Sequence, residues 1–160
     1  MRRLAFGLIT LAVLGAMNWL ALDREEILRR GAVILLKLDH SDRRSVLQGD
    51  YMRLRFELVR EILARNASLP RRGKLVVRLD GNGVATFVRL EDGTPLAPNE
   101  RWLKFRGSGT RPRVCPESYF FEEGKADVYE AAEYAELRVD ESGTAILSGL
   151  RNGRFERLGP

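Results

Sequence analysis

Carboxylates are the side chains of this 160-residue sequence whose number and grouping could support catalysis or cation binding. They form two groups, one around a Gly-Asp-Tyr sequence and one much later in the chain: Asp39, Asp42 and Asp50, then Glu122, Glu123, Asp127 and Glu130. If folding brings the groups together, a paired-carboxylate site or a divalent-cation site becomes conceivable. The structural alternative, which we favour, is that Asp supports turns and Glu covers exposed helix faces.

Other catalytic side chains are scarce. The chain has one histidine, His40, and one cysteine, Cys115, so it can form neither an intramolecular disulfide nor a Cys/His zinc cage. We expect His40 to be a solvated residue of a polar turn. No cofactor and no metal ion are expected.

A serine–lysine hydrolase is the remaining enzymatic alternative. Ser45 and Ser108 are candidate nucleophiles, and the candidate bases are Lys37, Lys74, Lys104 and Lys125. None of these pairs has a recognisable nucleophile context. The sequence therefore favours a non-enzymatic protein.

Positive charge is modest overall, at a formal +5, which is too weak a bias to indicate nucleic-acid binding. Residues 101–106 mix aromatic and basic residues and are followed by Arg111 and Arg113. This segment could contact lipid headgroups or acidic loops of a partner. The alternative is an ordinary strand with one solvated face.

The N-terminus predicts a membrane anchor. Residues 4–22 carry no charge over nineteen positions, which as a helix span roughly 28 Å, close to the hydrocarbon thickness of a bilayer. Leu14 stands where a signal-peptide cleavage site requires a small residue, so we expect an uncleaved signal anchor. Arg2 and Arg3 indicate a cytoplasmic N-terminus, although Arg24 and the basic residues after it favour the opposite orientation. We predict a single-pass protein of the cytoplasmic (inner) membrane with an extracytoplasmic, periplasmic domain.

Beyond the predicted anchor, Asp23 and Glu26 have capping-box spacing, which predicts a short helical turn that ends at Gly31. The apolar residues 32–38 then predict a buried strand. Residues 51–58 alternate strictly and predict a half-buried strand, followed by helical spacing from Val59. The strand's predicted core face consists of Met52, Leu54, Phe56 and Leu58.

The rest of the chain reads mainly as strands and turns. We predict a hairpin of 75–79 with 84–90, a strand at 101–106, a loop at 107–116, an aromatic strand at 119–121, a helix over 127–135 and a hairpin of 137–139 with 144–147. Four side chains of this helix are expected to face the core: Val128, Ala131, Ala132 and Ala135. The fold class is α+β: an N-terminal transmembrane helix (1–30) and a small, mainly antiparallel β domain (31–160) with one or two short helices.

Two blocks of the sequence resemble the bacterial GDYxxLxY family. In the first block Gly49, Asp50, Tyr51 and Leu54 match the signature, and Phe56 replaces its final tyrosine. The second block runs from 119 to 124 and through 134–140 to 151. The resemblance implies a membrane-anchored protein of a functionally uncharacterised family that accompanies a multi-pass membrane protein, and it implies no reaction.

The spacing of the signature has a physical interpretation. Leu54 and Phe56 share the core face, while Tyr51 lies on the other face. Gly49 allows a tight backbone turn that Asp50 can stabilise through its side chain. We favour this structural role, and an interaction role of Asp50 and Tyr51 stays open.

Together these observations predict a membrane-anchored accessory or interaction protein that partners a multi-pass membrane protein. The possible interaction residues are Gly49, Asp50, Tyr51, Leu54, Phe56, Glu123 and Gly124. The alternative is a membrane-tethered enzyme or ligand-binding domain that uses acidic residues near the Gly-Asp-Tyr motif. The lipid bilayer is the expected partner of residues 4–22, and no nucleic acid is expected.

Overall fold

The structure, a computed structural model, describes residues 2–39, 47–48, 51–66, 68–108 and 111–159. Its helices are α1 (Arg2–Arg30), α2 (Glu57–Arg65) and α3 (Ala126–Tyr129). The first six strands are β1 (Ala32–Lys37), β2 (Leu47–Gln48), β3 (Tyr51–Arg53), β4 (Arg72–Leu79), β5 (Ala85–Leu90) and β6 (Glu100–Ser108). The others are β7 (Arg111–Arg113), β8 (Ser118–Phe120), β9 (Tyr134–Val139), β10 (Ala145–Arg151) and β11 (Arg157–Leu158).

The strands form three antiparallel sheets, ordered β1-β9-β10-β11, β2-β3-β8 and β5-β4-β6-β7. Their inner faces share one hydrophobic core that also includes α2. Its fully buried side chains include Ile34, Leu36, Leu54, Ile62, Leu75, Leu103, Phe105, Leu137 and Leu150. An N-terminal apolar helix followed by mainly antiparallel sheets and short helices confirms the predicted α+β class.

Helix α1 is continuous through the apolar segment and the charged residues after it. The separate helical turn predicted to start at Asp23 is therefore wrong, because residues 21–30 are mostly good helix formers without Gly or Pro. The helix ends as expected at Gly31, whose N–H donates to Ile27 O at 2.8 Å. A Cβ at Gly31 would collide with that carbonyl and with the backbone of Val139, so this close approach requires glycine.

The end of α1 is fixed to the domain. Ile27 is buried, and α1 contacts both β9 and β10. Arg138 of β9 also donates from Nη1 to Gly31 O at 3.3 Å. The orientation of the long helix is thus set by packing against the sheet.

Both predicted hairpins are confirmed, and an aspartate organises each turn. Asp80 Oδ1 accepts hydrogen bonds from the backbone N–H groups of Asn82 and Val84 at 2.8 and 2.9 Å. Asp140 Oδ1 accepts one from Thr144 N at 2.7 Å. Gly143 has a φ of 88°, in the left-handed region that glycine adopts without strain.

The alternating segment 51–58 is extended for a shorter distance than predicted. β3 ends at Arg53, and α2 begins at Glu57, so a strand as far as Leu58 is wrong. The predicted core face is nevertheless buried, with exposed fractions between 2% and 4% for Met52, Leu54, Phe56 and Leu58. These four side chains are buried as the alternating pattern predicts, although the chain changes from strand to helix between them. The reason is that α2 packs Leu58 and Ile62 against the same core.

Two later segments also differ from the prediction. The 107–116 segment, predicted to be a loop, contains β7, which pairs with the end of β6 through Arg106 and Arg113. The helix predicted over 127–135 ends at Tyr129. Val128 is 42% exposed, Ala131 is also exposed, and the buried side chain of this helix is Tyr129. Ala135 is buried as predicted, but within β9, whose pairing with β1 and β10 competes with helix formation.

Candidate functional site

The two sequence blocks meet in the smallest sheet. β3, which carries the Gly-Asp-Tyr signature's tyrosine, pairs antiparallel with β8, the strand of the second block, and Tyr51 lies opposite Phe120. On its other side β3 pairs with β2 through Gln48 and Tyr51. Gly49 and Asp50 follow Gln48 in the sequence and lie outside the described residues. The tertiary structure therefore joins the two blocks directly, across a long separation in the chain.

The outer face of the β3–β8 pair presents two aromatic rings. The Tyr51 and Phe120 ring centroids are 5.8 Å apart with a 39° angle between the planes, as in other tilted aromatic pairs. Phe120 is 75% exposed, whereas Tyr51 is half-buried. We call Tyr51 and Phe120 the aromatic pair.

The inner face of the same two strands belongs to the core. Met52 lies opposite Tyr119 in the register, and Met52 is 3% exposed. Tyr119 and Phe121 both contact the buried ring of Tyr129, with centroid distances of 5.3 and 5.0 Å. Burial and a hydrogen bond with Tyr129 raise the pKa of Tyr119, so its phenol stays protonated.

The remaining signature positions hold separate segments together. Leu54 N donates to Glu117 O, and Asp39 N donates to Arg55 O, both at 2.8 Å. The Leu54 side chain is fully buried and Phe56 is 4% exposed. The phenylalanine at this position is therefore a core residue, which explains why a ring without a hydroxyl is tolerated.

Glu123 and Gly124 lie in the turn after β8. Lys125 N donates to Glu122 O at 3.1 Å, and Gly124 has a φ of 80°, which together describe a type II turn with glycine at its third position. Glu122 forms an ion pair with Lys125, whose hydrogen bond lowers the pKa of that carboxyl. Glu123 is exposed. The ion pair and the glycine conformation give this turn a structural explanation.

A cleft of about 1150 Å³ lies beside the signature segment and is lined by Leu54 and Phe56 among others. Its charged lining residues are Arg53, Arg55, Arg60, Arg111, Asp39 and Glu117. Asp39 is 3.8 Å from Arg60, in an ion pair. Arg53 and Arg111 line this cleft without an ion pair to another described residue, so within the described residues the cleft is suited to an anion.

The carboxylate site that the sequence left open as an alternative is not seen among the described residues. They contain no group of three or more His, Cys, Asp or Glu side chains placed to hold a metal ion. Asp127 and Glu130 are exposed, whereas His40, Asp42 and Asp50 lie outside the described part of the chain. Burial raises the pKa of the Cys115 thiol, which keeps it protonated and poorly nucleophilic.

The lysine candidates have structural partners. Lys37 pairs with Glu57 at 3.2 Å, and Lys104 Nζ donates to Ser142 Oγ at 2.8 Å. Ser142 Oγ donates in turn to Asp140 Oδ1 at 2.7 Å, so its proton is directed to a carboxylate and not to a lysine. Ser45 lies outside the described residues, and so does the side chain of Ser108.

Two buried carboxylates were not identified from the sequence. Glu136 is 2% exposed and accepts hydrogen bonds from Ser148 Oγ at 2.8 Å and Arg151 Nε at 2.7 Å. Burial raises the pKa of Glu136, but these hydrogen bonds outweigh it and the pKa lies below its usual value. The partners are fixed by strand register, so no local sequence signal could have identified this site.

Glu100 is the second buried carboxylate and is 4% exposed. Hydrogen bonds from Arg89 and from Ala97 N lower its pKa, and Arg78 donates at 3.1 Å. Every buried side-chain nitrogen and oxygen in the described part of the chain has a partner. A catalytic acid or base needs a free position for substrate, so both carboxylates are structural.

One helix of the described chain is long and apolar enough to cross a membrane: it spans Phe6–Arg30. Comparison with protein families shows that residues 13–150 match the family model described as GDYXXLXY protein. The match covers most of the chain, beginning inside α1 and ending in β10, and includes both sequence blocks. No curated protein and no solved structure matches the chain. The chain belongs to the GDYXXLXY family.

Proposed function

We propose that this member of the GDYXXLXY family is a non-enzymatic accessory protein that is anchored in a bilayer by α1 and binds a multi-pass membrane protein. The observation that carries the proposal is the aromatic pair, because it exposes the junction of the two family blocks to a partner. The alternative of an acidic catalytic site has no geometric support among the described residues.

The proposed anchor is α1. Its apolar side chains are exposed along its length, with Phe6 74%, Leu14 60% and Trp19 69% exposed. In water, so large an apolar surface would be unfavourable, whereas a bilayer's hydrocarbon solvates it and the helix satisfies its own backbone hydrogen bonds. These features support a single-pass anchor.

We place the domain on the extracytoplasmic side of the cytoplasmic membrane, periplasmic in a Gram-negative source. Arg2 and Arg3 precede the apolar segment, and a domain that follows a first apolar segment is translocated largely regardless of its charge. Protease added to intact spheroplasts is expected to digest the domain. Complete protection, with digestion after lysis, would reverse this topology.

The proposed docking surface is the aromatic pair. Exposed aromatic side chains are enriched at the centres of protein interfaces, where one such ring can contribute 2 kcal/mol or more. The ring of Phe120 contacts that of Tyr51. The signature's tyrosine therefore orients Phe120 and leaves the Phe120 ring accessible to a partner. A membrane-embedded partner is favoured because α1 confines this surface near the bilayer.

The test is a pull-down of the tagged, full-length protein from native membranes in mild detergent, with mass spectrometry of the captured proteins. Phe120→Ser is the test variant, and Val33→Ser, at a 38% exposed position of β1, is the matched control. We expect one stoichiometric multi-pass protein with the wild type and with Val33→Ser. Phe120→Ser should reduce its recovery at least about tenfold.

Two further variants define the contact. Deletion of residues 1–22 should abolish recovery if the anchor contributes, and Asp50→Ala tests the open interaction role of that residue. A partnerless preparation of the full-length protein from native membranes, or equal recovery with Phe120→Ser, would contradict the accessory role.

The second candidate function is ligand binding in the cleft beside the signature. The observation that favours it is that Arg53 and Arg111 line the cleft without an ion pair among the described residues, which indicates an anionic ligand. Arg53→Gln and Arg111→Gln should then weaken anion binding measured by calorimetry. The same variants should leave capture of the membrane partner unchanged.

A further inference from the structure

Arginines face one another across the sheet formed by β4, β6 and β7. Arg106 of β6 lies opposite Arg72 of β4 on one side and Arg113 of β7 on the other. Directly paired residues point to the same face, with Cβ atoms about 5 Å apart, and like charges in such pairs are destabilising. Lys104 shares this face, two residues before Arg106. The inner face of β6 carries Leu103 and Phe105, both buried.

No carboxylate compensates these arginines within the described residues. Arg106 and Arg113 are exposed and form no ion pair there, in contrast to Arg78 and Arg89, which both bind Glu100. The same chain therefore neutralises arginines at one end of the sheet and leaves them uncompensated at the other. An external anion would relieve the repulsion between them.

The uncompensated arginines line a cleft of about 620 Å³ between the sheet and the end of α1, which we call the basic cleft. Its charged lining residues are Arg24, Lys104, Arg106, Arg113 and Glu117. Among the described lining residues, three arginines and Lys104, whose ammonium also donates to Ser142 and Thr144, thus face one carboxylate. Ile27 of α1 and Ile146 of β10 contribute apolar walls, so the cleft combines positive charge with apolar surface.

The basic cleft lies at a defined level along α1. Leu22 ends the uncharged segment, so at 1.5 Å per residue Arg24 lies about 3 Å and Ile27 about 8 Å beyond it. The headgroup region on each side of a bilayer is roughly 5–7 Å thick. If α1 spans a bilayer, Arg24 lies within the headgroup region and Ile27 at its outer edge, so the cleft opens at the level of the lipid headgroups.

We propose that the basic cleft binds the phosphate group of an anionic phospholipid. This proposal rests on the membrane anchoring of α1 in the proposed function and adds a lipid partner to it. Arg106 and Arg113 supply planar, multidentate donors for phosphate oxygens, Arg24 approaches from the side of α1, and Ile27 and Ile146 form the apolar wall of the cleft.

The test uses the full-length protein in a detergent that preserves bound lipid, with equal amounts of phosphatidylglycerol and phosphatidylcholine. Native mass spectrometry measures the ratio of the two lipids that stay bound. We expect a preference for phosphatidylglycerol that falls roughly 30-fold in the double variant Arg106→Gln/Arg113→Gln, since each basic side chain near an anionic surface contributes about 1 kcal/mol.

Two control variants separate this site from general charge. Arg154→Gln removes an exposed arginine after β10, at the opposite end of that strand from α1, and should leave the preference unchanged. Arg106→Lys/Arg113→Lys keeps the charge and should retain most of the preference. Circular dichroism checks that each variant is folded. We expect all of them to fold, because the substituted positions are exposed.

The possible outcomes are distinct. Equal retention of the two lipids, or a preference that survives the double Gln variant, would overturn the proposal. If inorganic phosphate at the same concentration displaces all of the bound phosphatidylglycerol, the site binds soluble phosphate and the lipid assignment is wrong. If the protein does not incorporate into lipid nanodiscs at all, the anchor of the proposed function is overturned; incorporation without lipid preference overturns the lipid site alone.

Discussion

Strands β8 and β9 depart from the usual distribution of polar and apolar side chains in opposite ways. β8 places Phe120 outside, 75% exposed, whereas β9 places Glu136 inside, 2% exposed. An exposed aromatic residue and a buried carboxylate are both unfavourable unless something compensates them.

The compensation differs between the two strands. Glu136 is satisfied within the chain by Ser148 and Arg151, so its burial strengthens the β9–β10 pair and leaves no free position for a ligand. Within the described part of the chain, the aromatic contact of Phe120 is the half-buried ring of Tyr51. Glu136 therefore has a structural role. The exposure of Phe120 is the feature that a binding partner would explain.

Leu54→Ala tests the inner side of the signature and should have the largest effect on stability. Leu54 is fully buried beside Phe56, so the substitution leaves a cavity and should lower the free energy of unfolding by about 3 kcal/mol. Urea unfolding of the full-length protein in detergent, followed by fluorescence, measures it. A loss below about 1 kcal/mol would show that the signature segment is not part of the cooperative core.

Arg151→Met breaks the compensation in β9. It removes two contacts of the buried Glu136 carboxylate and should destabilise the protein by about 2 kcal/mol, less than for a fully enclosed pair because Arg151 is partly exposed. The double variant Glu136→Gln/Arg151→Met removes the unpaired charge and should recover part of the loss. No recovery would mean that Arg151 acts through packing and not through the carboxylate.

Acid should weaken the same region. The pKa of Glu136 is lowered on folding from its usual value of 4.5, so its stabilising contribution is present above that pH and is lost as the pH falls through the lower folded value. Unfolding midpoints of the wild type should therefore decrease below about pH 4.5 more steeply than those of Glu136→Gln. Parallel profiles would remove Glu136 as the titrating group.

Phe120→Ser should have the smallest effect on stability and a large effect on partner binding. Because Phe120 is mostly exposed, the free energy of unfolding should change by about 0.5 kcal/mol or less, while partner recovery falls. The same unfolding assay, run beside the pull-down, separates the two quantities. Strong destabilisation would place Phe120 with Glu136 as an architectural residue and weaken the comparison.

Several features could be predicted from local sequence because local physics decides them. The apolar helix follows from an uncharged segment, and both hairpins follow from Asp and Gly at the turns. The burial of Met52, Leu54 and Phe56 follows from strict alternation. Each of these depends on residues only a few positions apart, so the sequence alone determined them.

Other features depend on contacts that only folding creates. Tyr51 meets Phe120, Glu136 meets Arg151, and Arg106 faces Arg113, each through strand register. Helix α1 also continues beyond Asp23, because the capping signal there is weaker than the gain from extending a helix of good formers onto β9 and β10. Local sequence patterns are therefore enough to identify the long apolar helix, the α+β class and the buried faces of the strands. Which charges are neutralised and which stay exposed follows from the folded sheets, because it depends on which residues the strands place opposite one another.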